Sequence, residues 1–322
     1  MNLKSAGKTC EEMIRRTLEF FVGEEDLIRK IVCASLSNCH ILFEDYPGLG
    51  KTLLVKVFAR VTGCEWKRIQ FTPDLMPSDI IGTMVWRQRS SDFEFMKGPI
   101  FTNVLLADEI NRATPKTQSA LLEAMEERQV TVEGTVHRLE RPFFVMATQN
   151  PIEMEGTYPL PEAQLDRFAL RLSTGYVKSL ERECDILRRR IDWAKDDPTE
   201  DVKPVVNRKE LLELQELVED IYVDDNIVRY IGEIVRKTRE HQAVVVGSSP
   251  RGGLSLLKLS RALAMTYGRD FVTPDDVKFF AADALSHRII LNPEQEIRGL
   301  SPRRVIEEVV AGVKVPKEFH PR

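Results

Sequence analysis

The chain has 322 residues, 43% hydrophobic and 30% charged, with 46 Lys and Arg against 50 Asp and Glu for a formal net charge of −4. This composition excludes collagen-like and disordered chains, and the length suits about two domains. Cut at residue 178, both parts are slightly acidic, which excludes a basic arm for sequence-independent nucleic-acid binding.

From about residue 10 to 178, short apolar runs alternate with helix-like segments, the rhythm of a parallel-sheet α/β domain. Strands are expected at 40–44, 66–71, 104–107, 143–147 and 169–172, most of them apolar with little alternation and so covered on both faces. Two further stretches, 82–96 and 129–144, alternate apolar and polar residues around polar centres and predict projecting β-hairpins. The tract 196–204 is a polar, proline-bounded linker, after which helical spacing runs almost throughout to about 315. Asn207 with Glu210 predicts a capping box, and Thr273-Pro274-Asp275-Asp276 predicts an N-cap with proline at the first helical position. The five cysteines are scattered and never spaced CxxC, which fits a reducing compartment better than a disulfide framework or zinc knuckle. No run approaches the roughly 18 apolar residues of a membrane span, and no signal peptide is evident, so a cytoplasmic protein is expected.

The strongest chemical signal is Pro47-Gly48-Leu49-Gly50-Lys51-Thr52, placed after an expected strand and opening a helix from Leu53 to Val61. Glycines let backbone N–H groups curl around phosphate oxygens, Lys51 offers charge to the β and γ phosphates, and the Thr52 hydroxyl can ligate magnesium. The full phosphate-loop pattern carries a further glycine where this chain has Asp45, an acid beside anionic phosphates. The apolar run 104–107 ends in Asp108-Glu109, which looks like a Walker B strand: Asp108 to hold magnesium through water, Glu109 to accept a proton from the attacking water. Asn150, in Ala147-Thr148-Gln149-Asn150-Pro151, is placed to orient that water, or else forms a simple Asn-Pro turn. Arg167 lies near the end of a helix expected to start at Pro161, where it is either a dipole partner or a functional cation. Arg251 stands in the first turn of a helix begun by Ser249-Pro250, where the macrodipole opposes a cation and something anionic, such as a γ-phosphate, would offset it.

Together these residues identify the chain as similar to the MoxR group of AAA+ ATPases over nearly its whole length. Val22-Gly23 resembles the adenine-side approach, PGLGKT at 47–52 Walker A, LLADEINRA at 105–113 Walker B, ATQNP at 147–151 sensor 1, LPEAQLDRF at 160–168 the arginine-finger segment and SPR at 249–251 sensor 2. QFTPDLMPSDIIGT at 70–83 and KGPIF at 97–101 resemble the flanks of a helix-2 insert. Asp45 is tolerated in that group, whereas Gly252-Gly253 departs from the helix-favouring residues expected after sensor 2. The resemblance implies an α/β P-loop AAA+ core with a five-stranded parallel sheet in order 5-1-4-3-2, and a C-terminal all-α lid. It places the nucleotide-binding domain at 1–195, with an insert at about 80–100 and a pre-sensor-1 hairpin at about 129–146, and the lid at 205–322.

ATP would bind through Val22, Gly23, Pro47, Gly48, Leu49, Gly50, Lys51, Thr52 and Leu53, with Mg2+ on Thr52 and Asp108. The resemblance further implies a homo-oligomeric ring, a hexamer, in which Glu109 activates water, Asn150 positions it and Arg167 reaches the γ-phosphate of a neighbouring subunit. It leaves open whether Arg251 and Arg112 act within the subunit or across the interface. The implied partner is a protein with a von Willebrand factor A-like domain, and the implied activity is chaperone-like remodelling or maturation of protein clients by a Mg-dependent ATPase. Two rivals share the architecture. A DNA translocase should carry a basic hairpin tip, yet 131–137 holds Glu133 and no Lys or Arg; the ATPase subunit of a metal chelatase differs in its client. No nucleic acid is expected. Arg188-Arg189-Arg190 reads as a solvated helix face, Trp86, Phe93 and Phe95 as sheet packing or client contact, and the five histidines show no ligand spacing.

Overall fold

The computed structural model describes residues 2–89, 91–151 and 156–317. Helices α1 (Leu3–Phe20) and α2 (Glu25–Leu36) lead into strand β1 (Ile41–Glu44), and α3 (Lys51–Val61) then begins at the lysine of the glycine-rich loop. Next come β2 (Trp66–Gln70), the short α4 (Pro77–Ile81), the hairpin β3 (Gly82–Arg87) and β4 (Asp92–Lys97), and β5 (Val104–Asp108). Helix α5 (Pro115–Glu127) runs into a second hairpin, β6 (Gln129–Val132) and β7 (Thr135–Arg138), followed by β8 (Phe144–Gln149), α6 (Glu162–Leu165), β9 (Leu170–Leu172) and α7 (Leu180–Trp193).

β2, β5, β8, β1 and β9 form one parallel sheet in that spatial order, which, with its strands numbered along the chain, is 5-1-4-3-2 read from the other edge. β1, β5 and β8 are buried up to their last residues, Glu44, Asp108 and Gln149. Apolar side chains hold the interior of the sheet and polar ones collect at its carboxyl edge, where open α/β sheets bind ligands. β2 departs from the expectation of two covered faces: as an edge strand it exposes Lys67 and Arg68. Both hairpins are antiparallel, but the second is shorter than its alternation suggests, because 144–149 belongs to the central sheet. The two are joined by Phe95, whose ring stacks on His137 at 3.9 Å between centroids. Trp86 and Phe93 meet edge to face across the first hairpin and are 50% and 59% exposed. Within α7, Arg188 and Arg190 face solvent as read from the sequence, whereas Arg189 turns inward to donate to the Leu18 carbonyl at 2.8 Å.

The C-terminal part is helical: α8 (Arg208–Glu219), α9 (Asp225–Glu240), β10 (Val244–Val246), α10 (Pro250–Thr266), α11 (Pro274–Leu285), β11 (Ile290–Leu291), α12 (Pro293–Ile297) and α13 (Pro302–Gly312). β10 and β11 add a small antiparallel ribbon that helical spacing did not suggest. The capping boxes at Asn207 with Glu210 and Thr273 with Asp276 are both formed. One apolar cluster runs from α2 and α3 through α8, α10 and α11, burying Ile28, Phe58, Leu214, Leu259 and Phe280.

Gly252 and Gly253 lie inside α10, and their surroundings differ. A Cβ on Gly252 would come within 2.2 Å of Ser248 Oγ and 2.7 Å of Leu285 Cδ2, so glycine here is a packing requirement. A Cβ on Gly253 would make ordinary contacts at 3.5 Å and 3.8 Å with Val235 and Ile231. Gly252→Ala is therefore expected to destabilise the chain by about 1–3 kcal/mol through overpacking, and Gly253→Ala to stabilise it by up to about 1 kcal/mol through helix propensity. Urea unfolding of the two variants checks this pair of opposite signs.

Candidate active site

The loop between β1 and α3 wraps a cavity of about 270 Å³ lined by Gly48, Lys51, Thr52, Asp108, Glu109 and Asn150, among others. Gly48 (φ 83°) and Gly50 (φ 75°) both hold left-handed backbone, which an L side chain would strain. Lys51 Nζ donates to the Tyr46 carbonyl at 2.7 Å. Burial pushes the Lys51 pKa down, while Asp45, Asp108 and Glu109 oppose the shift by favouring its charge. Asp45, the apparent defect in the motif, accepts from the Ser173 hydroxyl at 2.6 Å and from the Thr174 N–H and hydroxyl at 2.8 and 2.9 Å. Its charge is thus spent on the loop after β9.

At the carboxyl edge of β5, the Thr148 hydroxyl donates to Asp108 Oδ1 at 2.6 Å and accepts from the Glu109 N–H at 2.8 Å. Glu109 sits in the left-handed region at φ 56°. Two residues that the motif reading overlooked approach from β2. Arg68 donates to Asp108 Oδ2 from Nε at 3.1 Å and from its terminal nitrogen at 2.7 Å, and Gln70 Nε2 donates to Glu109 Oε2 at 2.7 Å. Their spacing of two along a strand paired to β5 is the signal that could have found them, since i and i+2 share a face. Arg112 closes on Glu109 at 3.1 Å. Asn150 is buried beside these acids and also lends its carbonyl to Asn111 at 3.3 Å.

The donor chemistry fits Mg2+: the Thr52 hydroxyl and Asp108 carboxylate are hard oxygens, and no cluster of three His, Cys, Asp or Glu able to hold a metal occurs among the described residues. A small cation with one or two protein ligands and substrate phosphates needs no larger cluster. A second cavity of about 570 Å³ meets the first along Gly48, Leu49 and Gly50 and continues past Val22, Gly23, Leu53 and Tyr176. A polar end joined to a larger, more apolar end suits a nucleotide.

Arg167 and Arg251 line neither cavity. They share a third, of about 200 Å³, where both approach the carboxylate of Glu126: Arg167 Nε at 3.2 Å from one oxygen, Arg251 against the other. The anion that offsets Arg251 in this structure is thus Glu126. Helix α6 is also shorter than expected, ending at Leu165, so that Arg167 lies beyond it. Between the two arginines runs a polar joint whose buried member is Arg288. Ser249 donates to Asp166 at 2.9 Å, Arg288 Nε donates to the same carboxylate at 2.7 Å, and Arg288 also reaches the carbonyls of Asp166 and Phe168 at 2.9 and 2.8 Å.

Residues 40–170 match the ATPase family associated with various cellular activities (AAA), and residues 236–309 match the AAA lid domain. The chain is 42% identical over 318 residues to chaperone MoxR1 of Mycobacterium tuberculosis strain H37Rv, covering 96% of this chain and 83% of that protein. It belongs to the MoxR family of AAA+ ATPases. The MoxR-family chain is also 47% identical over 310 residues to the uncharacterized protein YeaC of Bacillus subtilis strain 168, covering 96% and 94% of the two chains. Its fold matches the crystal structure of a protein from Cytophaga hutchinsonii ATCC 33406 labelled a candidate ATPase, with a TM-score of 0.90, 40% identity and coverage of 98% and 97%.

In this MoxR-family chain, restoring the missing glycine of the phosphate loop should do harm. Asp45→Gly and Asp45→Ala are both expected to cost about 1.5–3 kcal/mol, because hydrogen bonds to a buried carboxylate are lost, as measured by urea unfolding of the nucleotide-free chain.

Proposed function

We propose that this MoxR-family ATPase hydrolyses ATP to ADP and phosphate at sites shared between subunits of a homo-oligomeric ring, taken as a hexamer from the resemblance. Residues 1–195 form the nucleotide-binding domain and 205–322 the lid in this reading. One observation carries it. Lys51, Thr52, Asp108, Glu109 and Asn150 converge on one cavity, while Arg167 and Arg251 are presented together on another. A phosphate loop whose own signature arginines lie elsewhere is completed by arginines from a second copy.

Within the subunit, the loop from Pro47 to Leu53 cradles the phosphates, Lys51 offsets their charge, and Val22 and Gly23 border the base. Bound Mg2+ would neutralise phosphate charge and orient the β and γ oxygens, held by the Thr52 hydroxyl and Asp108. Glu109 accepts the proton of the attacking water, which Asn150 orients, and Gln70 and Arg112 hold the Glu109 carboxylate in place. From the next subunit, Arg167 stabilises charge on the transferred phosphoryl group, a contribution of about 10³ to 10⁵ in rate for arginine fingers. Arg251 follows it across the interface, since the two share one carboxylate.

The output of this ATPase is chaperone-like work on protein clients in the cytoplasm, with a von Willebrand factor A-like protein as partner and the two hairpins as moving parts. Exposed Trp86 and Phe93 suit protein contact. The turn of the second hairpin, Glu133-Gly134, offers no cation to a phosphate backbone, which weighs against a DNA translocase.

Glu109→Gln is expected to keep ATP binding within about twofold while turnover falls by about 10²-fold or more, because phosphate contacts survive and the base is lost; binding of a fluorescent ATP analogue alongside steady-state hydrolysis separates the two. Mixing Arg167→Ala subunits with Lys51→Ala subunits, each inactive alone, should restore part of the activity, since a mixed ring contains interfaces with an intact loop and an intact finger. Absence of rescue at every ratio would place Arg167 within its own site.

A further inference from the structure

Glu126 lies in the last turn of α5, where the helix dipole disfavours an acid, and Arg251 lies in the first turn of α10, where it disfavours a cation. Each charge is at the wrong end of its own helix, and their contact offsets both. Arg167 closes on the other carboxylate oxygen, so one acid serves two cations. Of the other charged residues lining the cavity, Lys258 adds a further cation to the wall, and the rest are engaged elsewhere. Arg128 donates to the carbonyls of Phe143 and Asn38, and Arg288 is bound to Asp166, which also holds Ser249. The side chains of Arg167, Arg251 and Glu126 are 30%, 45% and 34% exposed, so an anion from outside can reach the guanidiniums without unfolding anything.

We propose that Glu126 is a positioning residue that acts as an internal competitor: it occupies Arg167 and Arg251 until a polyphosphate on an adjoining subunit displaces it. The proposal rests on the reading that both arginines act across the interface. Exchange of carboxylate for phosphate leaves the arginines paired but strands Glu126 at the negative end of α5. That helix passes directly through Arg128, in the left-handed conformation at φ 55°, into β6. Arrival of the neighbour's nucleotide is thereby felt at the root of the second hairpin, which carries the first with it through the stack of Phe95 on His137.

The test is steady-state ATPase of the full chain against protein concentration, comparing wild type, Glu126→Gln, Glu126→Asp and Arg167→Ala. Removing two exposed ion pairs of ordinary strength should lower the protein concentration for half-maximal specific activity by about 2- to 30-fold in Glu126→Gln, with the maximal rate within about twofold of wild type. Glu126→Asp, whose shorter arm cannot span both arginines, should shift in the same direction by a smaller factor. A structural defect would instead raise the half-maximal concentration or lower the maximal rate. Either of those, or an unchanged curve, overturns the role of Glu126 while leaving the interface reading intact, provided that wild type depends on concentration and Arg167→Ala is inactive. If wild-type activity ignores concentration and Arg167→Ala turns over normally, the interface reading falls and the competitor falls with it. Should Glu126→Gln fail to fold, judged by its urea midpoint, the Glu126→Asp curve decides alone.

Discussion

The arrangement of this MoxR-family ATPase depends on the polar joint of Asp166, Ser249 and the buried Arg288. Arg288 is 8% exposed, and its burial pushes the guanidinium pKa down while Asp166 pulls it back. A cation in that position is tolerable only because a carboxylate and several carbonyls meet it. The joint fixes the segment before β9 to the start of α10 and to the turn after α11, so it ties sheet to helical bundle alongside their shared apolar cluster. Arg167 follows Asp166 directly and Arg251 lies two residues beyond Ser249, so the same contacts set the spacing of the arginine pair. Gly252 belongs to this junction: its missing side chain is what lets α10 approach Ser248, Leu285 and Arg288.

At the other end of the sheet, the acids at the end of β5 are held by neighbours on both sides, Thr148 from β8 and Arg68 and Gln70 from β2. A cation on Asp108 and an amide on Glu109 balance charge in a cavity that already contains a desolvated lysine. These contacts give the cavity its shape without any single rigid ligand cage.

Much of this was legible in the chain itself. The five core strands, both hairpins and the two capping boxes follow from hydrophobic period and cap chemistry, which act over a few residues. The glycine-rich loop and the acids at the end of β5 stood out as candidates because glycines, a lysine and carboxylates in that pattern suit chemistry that few other residues can do. Arg68, Gln70, Glu126 and Arg288 were not, because each matters through a partner 39 to 125 positions away; the i, i+2 spacing of Arg68 and Gln70 puts them on one strand face but does not name the acids they meet. The ribbon of β10 and β11 is similarly non-local, pairing residues on either side of two helices. Gly252 seemed a blemish on helix propensity until its neighbours were in place. Asp45 shows the same limit: read as a flaw in a motif, it is the anchor of the loop that walls the larger cavity beside the glycine-rich turn.

The stack of Phe95 on His137 has a consequence for how the chain can change over time. It roots the two hairpins together near the sheet, while their far ends project away from the buried clusters. Insertions and substitutions at such ends cost a fold little, and no residue of either hairpin lines the cavity around Lys51. New binding preferences can therefore be written at the hairpin ends without retuning the engine, so that specificity and power are free to diverge.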